Sequence, residues 1–180
     1  TSAGMHPGGR LLATHADDSV VRIHDITAGR VVVELPNAVN GPPGTFGFSP
    51  DGRHLATIHK IQAPSPLVGP DRGVIAIWRT ADWRRVGTVL PPRNWATSVR
   101  WVDDRRLVLA LFAGGASVCD AMTGAEIQPL TAERHLTEAL DVSVDGRRVV
   151  TGDWGWVVWA WNPDTGRRVA VCRGHTRKVY

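Results

Sequence analysis

The chain has little of what marks a disulfide-stabilised or membrane-spanning protein. Its 180 residues include only two cysteines, Cys119 and Cys172, which fit no metal-ligand spacing. It has no run of 18 apolar residues, no low-complexity tail and no segment resembling a secretory signal. Composition therefore supplies no candidate membrane helix. We expect two free core thiols in a reducing cytoplasm rather than a disulfide.

Short motifs that identify many enzymes are also missing. The sequence has no Gly-rich phosphate loop followed by Lys, no His-Glu-x-x-His and no Gly-x-Ser-x-Gly. The carboxylate pairs Asp17-Asp18 and Asp103-Asp104 fall in predicted turns, where Asp is favoured for backbone reasons. We therefore expect no catalytic residue, no cofactor and no metal.

What the chain does contain is one pattern of turns repeated four times. The first turns begin at Met5, Phe48, Trp101 and Val142, so their spacings are 43, 53 and 41 residues. Without a loop of about ten residues in the second repeat, the period is near 42, the length of a four-stranded propeller blade. A second turn recurs in step and includes Thr27-Ala28-Gly29, Thr80-Ala81-Asp82, Thr123-Gly124 and Thr165-Gly166. We place the repeats at approximately 1–43, 44–96, 97–137 and 138–175, with the start of a fifth at 176–180.

The segments between these turns are short, β-branched and apolar, which predicts strands. No stretch shows an apolar stripe of helical period with caps, and 43% apolar residues are enough for a sizeable core. The fold class predicted is therefore all-β. Predicted strands are Leu11–Thr14, Val20–Ile26, Val31–Leu35, Val74–Trp78, Val86–Leu90, Leu107–Leu111, Val149–Thr151, Val157–Trp161 and Val169–Cys172.

Several motifs resemble those of one repeat family. They are the turn Phe48-Ser49-Pro50-Asp51-Gly52, the run Leu11-Leu12-Ala13-Thr14, the repeat ends Ile23-His24-Asp25, Ile77-Trp78-Arg79, Val118-Cys119-Asp120 and Ala160-Trp161-Asn162, and the dipeptide Gly174-His175. On these motifs the chain resembles WD-repeat β-propellers over nearly its whole length. The repeat-end Trp is kept at Trp78 and Trp161, whereas His24 and Cys119 replace it elsewhere.

The resemblance implies a hydrogen-bonded network of His, Ser or Thr, Trp and Asp inside each blade. In the family, the Gly-His histidine binds an Asp in the turn before the third strand. Asp18 occupies that turn in the first repeat, and His175 would serve a further blade. Such a network specifies packing, so its members are not catalytic candidates.

The resemblance also implies a closed ring of about seven blades, and four wedges of that size do not close a circle. The sequence starts inside a first strand and stops at Val179-Tyr180, early in a fifth repeat. We therefore expect a fragment of a longer protein, with the ring completed by missing blades. A ring completed by a second copy is the alternative. An open end would expose an apolar blade face.

The basic charge is carried by nineteen Arg against two Lys, with a net charge of +4. Together with the Ala, Gly and Pro content, this composition is typical of a protein from a high-GC bacterium. Arg10, Arg53, Arg106 and Arg147 recur after the first turns, which spreads charge around the rim. A nucleic-acid surface would gather basic residues on one face with aromatic residues for stacking. Nucleic acid is therefore not the expected partner, and no membrane partner is expected.

In a propeller, the loops joining the fourth strand to the next first strand, and the second strand to the third, emerge on one face. The sequence places there Arg93, Asn94, Trp95, Arg134, His135, Trp154, Trp156, Arg177 and the Pro-rich loop Lys60–Arg72. Trp and Arg are enriched at interface hot spots. We therefore predict partner binding by Arg93, Trp95, Arg134, His135, Trp154, Trp156 and Arg177.

Alternatives stay open for several of these residues. Trp95, Trp154 and Trp156 could instead pack between blades, whereas Trp101 and Trp161 are predicted to be core. The loop Lys60–Arg72 is either a recognition loop or an inert insertion. His15 and His59 fall near the ends of equivalent second strands and could approach each other at one mouth of the ring. A metal site there would need further ligands.

The function predicted is a non-enzymatic protein-interaction scaffold, the WD-repeat part of a larger bacterial protein in the cytoplasm, with signalling among its expected settings. One alternative is a propeller enzyme of hydrolase or lactonase type, with a site in the central channel. The other is a basic nucleic-acid-binding propeller. Fold alone does not decide among these functions.

Overall fold

A computed structural model describes residues 2–16, 18–36, 46–60, 73–93, 95–131 and 135–179. These residues form sixteen β-strands and contain no α-helix. Within the same ranges no helix is long and apolar enough to cross a membrane. The strands form four antiparallel sheets, each made of four strands that are consecutive in the chain. We call these sheets blades 1 to 4, in chain order.

The first two blades occupy the first half of the chain. Blade 1 is β1 (Ser2–Met5), β2 (Leu11–His15), β3 (Val21–Asp25) and β4 (Arg30–Leu35). Blade 2 is β5 (Phe46–Phe48), β6 (His54–Lys60), β7 (Gly73–Arg79) and β8 (Arg85–Val89). Within each blade every strand pairs with the next one along the chain.

The remaining two blades repeat this arrangement. Blade 3 is β9 (Ala96–Trp101), β10 (Arg106–Leu111), β11 (Ala116–Asp120) and β12 (Glu126–Leu130). Blade 4 is β13 (Thr137–Val142), β14 (Val149–Asp153), β15 (Val157–Trp161) and β16 (Arg168–Arg173). Each of the nine strands predicted from the sequence overlaps one of these strands.

The core lies between blades rather than inside one sheet. Three apolar clusters fill the contacts between blades 1 and 2, blades 2 and 3, and blades 3 and 4. In the last of these, Val108 and Leu130 of blade 3 pack with Trp159 and Trp161 of blade 4. Trp101 and Trp161 are 5% and 2% exposed, so their predicted core positions are confirmed. Burying an aromatic or aliphatic side chain contributes about 1.5–3 kcal/mol, so each contact is a major source of stability.

The two cysteines do not share one environment. Cys119 is buried in β11, and burial raises the pKa of its thiol. Cys172 is exposed on β16, so the prediction of two core thiols is wrong for Cys172. The reason is its place in the sheet. Cys172 pairs with Val158 in blade 4, and Leu130 pairs with Ala116 at the equivalent position of blade 3. Leu130 is covered by blade 4, whereas no described sheet covers the same face of blade 4, so Cys172 is exposed.

His15 and His59 do not occupy equivalent positions. His15 pairs with Val21 in blade 1, and the residue of blade 2 in the same register is Ile58, which pairs with Ile75. His59 is therefore one position further along and belongs to the opposite face of its sheet. Within the described ranges no group of three or more His, Cys, Asp or Glu side chains could hold a metal ion.

The Thr and Trp part of the family network is present in two blades, with a variant in a third. Trp78 Nε1 donates to Thr57 Oγ1 at 2.8 Å, and Trp161 Nε1 donates to Thr151 Oγ1 at 3.0 Å. In blade 1 the His24 ring takes the place of Trp and lies 2.8 Å from Thr14 Oγ1. These bonds join the second and third strands of each blade and fix their register.

The Asp and His positions of the network differ more from the family. Asp18 forms an ion pair with Arg22 at 2.6 Å. His175 is exposed. The repeat-end Asp25 accepts Arg10 at 2.6 Å and two backbone N–H groups of the following turn, and the Arg10 hydrogen bond holds its pKa at about 2. Asp25 therefore caps a turn.

In blades 1, 2 and 4 the first turn contains a left-handed residue, and that residue is glycine. Gly9, Gly52 and Gly146 have φ of +70°, +71° and +68°. A Cβ on Gly9 would meet nothing within 4 Å, whereas a Cβ on Gly146 would lie 2.5 Å from the carbonyl oxygen of Val102 in blade 3. The turn of blade 4 is thus pressed against the neighbouring blade.

We expect Gly9→Ala to lower the free energy of unfolding by about 1 kcal/mol, the cost of a left-handed backbone at a non-glycine residue. Gly146→Ala should cost clearly more, because the same strain is joined by overlap with the Val102 backbone. Urea denaturation of both variants measures the difference. Equal losses would contradict close packing of this turn on blade 3.

Thr57→Val removes the acceptor of Trp78 and the hydroxyl that lies 2.6 Å from His59 Nε2, at a residue that is fully buried. We expect the free energy of unfolding to fall by about 1–3 kcal/mol, because the buried His59 ring and the half-buried Trp78 indole each lose a partner. Thr88→Val, on the exposed outer strand of the same blade, is the control and should change stability little. A similar loss in both variants would show that the network contributes nothing specific.

Candidate interaction surface

Two kinds of loop meet at one end of blades 3 and 4. In blade 3, the Phe112 N–H of the turn between β10 and β11 donates to the Trp95 carbonyl, just before β9, at 3.0 Å. In blade 4, the Trp154 N–H of the turn between β14 and β15 donates to the Leu136 carbonyl, just before β13, at 3.0 Å. In blades 3 and 4, the loops that the sequence assigned to one face are therefore hydrogen-bonded to each other.

The blade 3 loops form an aromatic pair. The rings of Trp95 and Phe112 meet edge to face, with their centroids 5.1 Å apart. Trp95 is half-buried, whereas Phe112 is 45% exposed. This geometry is favourable for aromatic rings and leaves apolar area open to a partner.

Trp154 is held in place although it is 43% exposed. Its Nε1 donates to Glu138 Oε2 at 3.0 Å, and Lys178 Nζ lies 4.2 Å from the ring centroid. A cation over an indole face is attracted by the ring quadrupole. An exposed ring that is already fixed on two sides loses little conformational entropy when a partner binds.

Trp156 lies two residues further along the same turn and is 52% exposed. Its φ is +66°, a left-handed conformation that bulky residues rarely adopt. By strand register, Trp156 is at the position equivalent to Gly114 (φ +97°) in blade 3 and to Ser19 (φ +61°) in blade 1. A tryptophan in that conformation destabilises the fold by about 1–2 kcal/mol. Because the side chain is half-exposed, its burial offsets little of this loss.

The other predicted residues divide between the two blades. His135 is exposed, and a Cβ on Gly155 would lie 2.7 Å from its ring, so His135 lies against the turn that carries the two indoles. Arg177 is exposed beside Lys178. Arg93 instead forms an ion pair with Glu126 of β12 at 2.5 Å, and Glu126 also accepts Ser117 Oγ at 2.7 Å. Arg93 is therefore bound to blade 3.

Some predicted positions fall outside the described residues. These are Arg134, Asn94 and residues 61–72 of the long loop. The structure brings together one cluster, which we call the Trp154 patch. It consists of His135, Glu138, Trp154, Trp156 and Lys178, and Arg177 precedes Lys178 in the chain.

Sequence reasoning missed Glu138, Lys178 and Phe112. Phe112 falls in the same turn of blade 3 that carries the two indoles in blade 4, so the repeat alignment could have found it. Glu138 is inside a strand and Lys178 is in the tail after β16, so neither has a local signal. The role predicted for the seven residues stays a prediction.

The architecture defines the class of protein. Four sequential four-stranded antiparallel sheets, packed face to face through apolar clusters, are blades of a β-propeller. No family model matches the chain. The sequence is 38% identical over 150 residues to WD repeat-containing protein SL1-17 of Schistosoma mansoni, covering 81% of this chain and 44% of that protein.

A second relative is the human Peroxisomal targeting signal 2 receptor, 25% identical over 119 residues, which cover 63% of this chain and 34% of the receptor. The chain thus spans less than half the length of either relative. It belongs to the WD-repeat β-propeller family.

We expect Trp156→Gly to leave the free energy of unfolding unchanged or to raise it by up to about 1 kcal/mol, because glycine relieves the left-handed strain. Trp154→Gly, two residues away without a positive φ, should lower it by about 1 kcal/mol. Chemical denaturation of both variants tests this contrast. A loss above about 2 kcal/mol in Trp156→Gly would place Trp156 in the packed core.

Proposed function

We propose that this chain is part of a non-enzymatic protein-interaction scaffold that captures its partner at the Trp154 patch. One observation carries the proposal. A single turn presents two exposed indoles, one fixed by Glu138 and Lys178 and the other in a backbone conformation that costs stability. Residues held in such conformations cluster at functional sites.

The chemistry of the patch suits protein recognition. Tryptophan gives a large contact area at a small entropic cost and is enriched at interface hot spots. The Trp95 and Phe112 pair adds a second aromatic surface at the same end of the neighbouring blade. The human relative is described as a receptor for a targeting signal, which agrees with recognition of a protein segment by this kind of propeller.

The proposal extends to the setting of the protein. The Arg-rich, Lys-poor composition supports a bacterial origin, and the part-length match to the relatives supports a larger parent protein. We place that parent in the cytoplasm, in a signalling role. Expression of the parent gene with a fluorescent tag tests the compartment directly. Fluorescence located in the periplasm or outside the cell would reject a cytoplasmic location.

The test of the surface starts from peptides selected on the folded chain from a displayed random library. We expect Trp154→Ala to reduce their affinity by about 10-fold or more, as for a hot-spot residue. Met122→Ala is the control, because Met122 is 46% exposed but lies in the turn between β11 and β12, at the other end of blade 3. Calorimetric titration gives both affinities.

Two results would contradict the assignment. One is selected peptides that bind Trp154→Ala as tightly as the unchanged chain. The other is peptides that lose binding to Met122→Ala instead, since this would move the docking surface to the opposite end of the blades. Circular dichroism of each variant confirms that the fold is retained.

A further inference from the structure

Aromatic side chains line the loop end of blades 3 and 4. By strand register, Phe112 of blade 3 is at the position equivalent to Trp154 of blade 4. The Phe112 N–H donates to the Trp95 carbonyl, and Trp156 lies in the same turn as Trp154. Phe112, Trp154 and Trp156 are 45%, 43% and 52% exposed, and Trp95 is half-buried. We call these four residues the aromatic row.

A hydrogen bond between the blades holds the two halves of the aromatic row side by side. Thr97 Oγ1, two residues after Trp95, donates to the Thr137 carbonyl of blade 4. Thr137 follows Leu136, whose carbonyl accepts the Trp154 N–H. Sheets that pack face to face lie about 10 Å apart, so equivalent positions of blades 3 and 4 are separated by roughly that distance.

Two indole N–H groups of the aromatic row lack an acceptor among the described residues. Trp154 Nε1 donates to Glu138 Oε2 at 3.0 Å. In contrast, Nε1 of Trp95 and Nε1 of Trp156 form no hydrogen bond within the part of the chain that the structure describes. A partner that binds the row therefore meets aromatic surface that also offers two hydrogen-bond donors.

We infer that the aromatic row binds a proline-rich segment in the polyproline II conformation, an inference that rests on the proposed function. A polyproline II helix has three residues per turn and rises about 3.1 Å per residue, so side chains three residues apart share a face and lie about 9 Å apart. This spacing matches the separation of equivalent positions in adjacent blades. One proline contacts Phe112 beside Trp95, and the proline three residues away contacts Trp154 beside Trp156.

The backbone of such a segment supplies the missing acceptors. A polyproline II segment makes no internal hydrogen bonds, so its carbonyls are free to accept from the indoles of Trp95 and Trp156. An α-helix has already used its carbonyls internally. Side chains on one face of a β-strand lie about 7 Å or about 13 Å apart, which fits the two blades less well. Aromatic-lined surfaces bind polyproline II segments with little loss of entropy, because the conformation is already formed.

A single-stranded nucleic acid would suit this surface less well. Its bases also stack on aromatic rings, but its backbone requires a positively charged groove. The Glu138 carboxylate lies against Trp154, and Arg93, at the same end of blade 3, is paired with Glu126. The aromatic row therefore favours an uncharged polypeptide.

The test uses three uncharged, dye-labelled peptides of equal length with capped ends. The first has proline at every third position, with alanine and glutamine between. The second has the same composition with its prolines in adjacent pairs, so that no two are three residues apart. The third replaces every proline by alanine. Fluorescence anisotropy should show that the first binds the folded chain about 10-fold more tightly than either of the others, and raising NaCl should leave this difference unchanged because no charges are paired.

Two variants test whether one segment contacts both blades. Phe112→Ala and Trp154→Ala should each reduce the affinity for the first peptide by about 10-fold, because each removes one of the two ring contacts. Met122→Ala is the matched control for Phe112→Ala, because Met122 is 46% exposed but lies in the turn between β11 and β12, at the opposite end of blade 3. This control should bind as the unchanged chain does, and circular dichroism confirms that each variant is folded.

A third variant tests the indole donor. Trp156→Phe keeps an aromatic ring at the left-handed position and removes the N–H, so the affinity for the first peptide should fall by about 2- to 10-fold. Trp83→Phe is the control, because Trp83 also has a positive φ (+57°) but lies in the turn between β7 and β8, at the other end of blade 2. Equal affinities of the two variants would contradict a carbonyl acceptor at Trp156.

The outcomes separate this inference from the proposed function. Equal binding of the first and second peptides, or an affinity loss in only one of Phe112→Ala and Trp154→Ala, overturns the polyproline II segment. Absence of binding by all three peptides also overturns it. If the peptides selected from the library still require Trp154, the proposed function stands although this inference fails. Tighter binding of a single-stranded oligonucleotide that requires Trp154 overturns the inference in favour of nucleic acid.

Discussion

The whole structure depends on the burial of one sheet face against the next. Each blade contributes alternate side chains of its strands to an apolar cluster shared with its neighbour. A single four-stranded sheet cannot bury both of its faces alone, so stability comes from repetition. The position of a blade in the series therefore decides what its residues experience. Leu130 is fully buried between blades 3 and 4, whereas Cys172, at the same register position in blade 4, is exposed.

Polar contacts then specify how the sheets are ordered. The hydroxyls of Thr57 and Thr151 bind the indoles of Trp78 and Trp161 within their blades. Between blades, Trp101 Nε1 donates to the Gly47 carbonyl at 2.8 Å. Such bonds add little net energy when made, but they are costly to leave unmade in a buried place. They consequently favour one register among several that would bury similar apolar area.

At the loop end of blades 3 and 4, by contrast, some features lower the stability of the fold. Trp156 occupies a left-handed slot where Gly114 serves in the neighbouring blade. Trp154 is exposed, yet it is fixed by Glu138 and Lys178. Proteins depart from local rules mainly at functional positions. A rigid scaffold with a strained aromatic turn at one end is the physical basis for proposing that end as a docking surface.

Turn chemistry and strand periodicity are local properties, so the sequence alone was enough to predict an all-β fold, its repeats and its family. It also identified Trp101 and Trp161 as core. The environment of each exposed residue was decided by contacts with parts of the chain far away in sequence. Arg93 pairs with Glu126, and Lys178 covers Trp154. Only tertiary structure, which sets those long-range neighbours, could show which aromatic and basic side chains lie together at the surface.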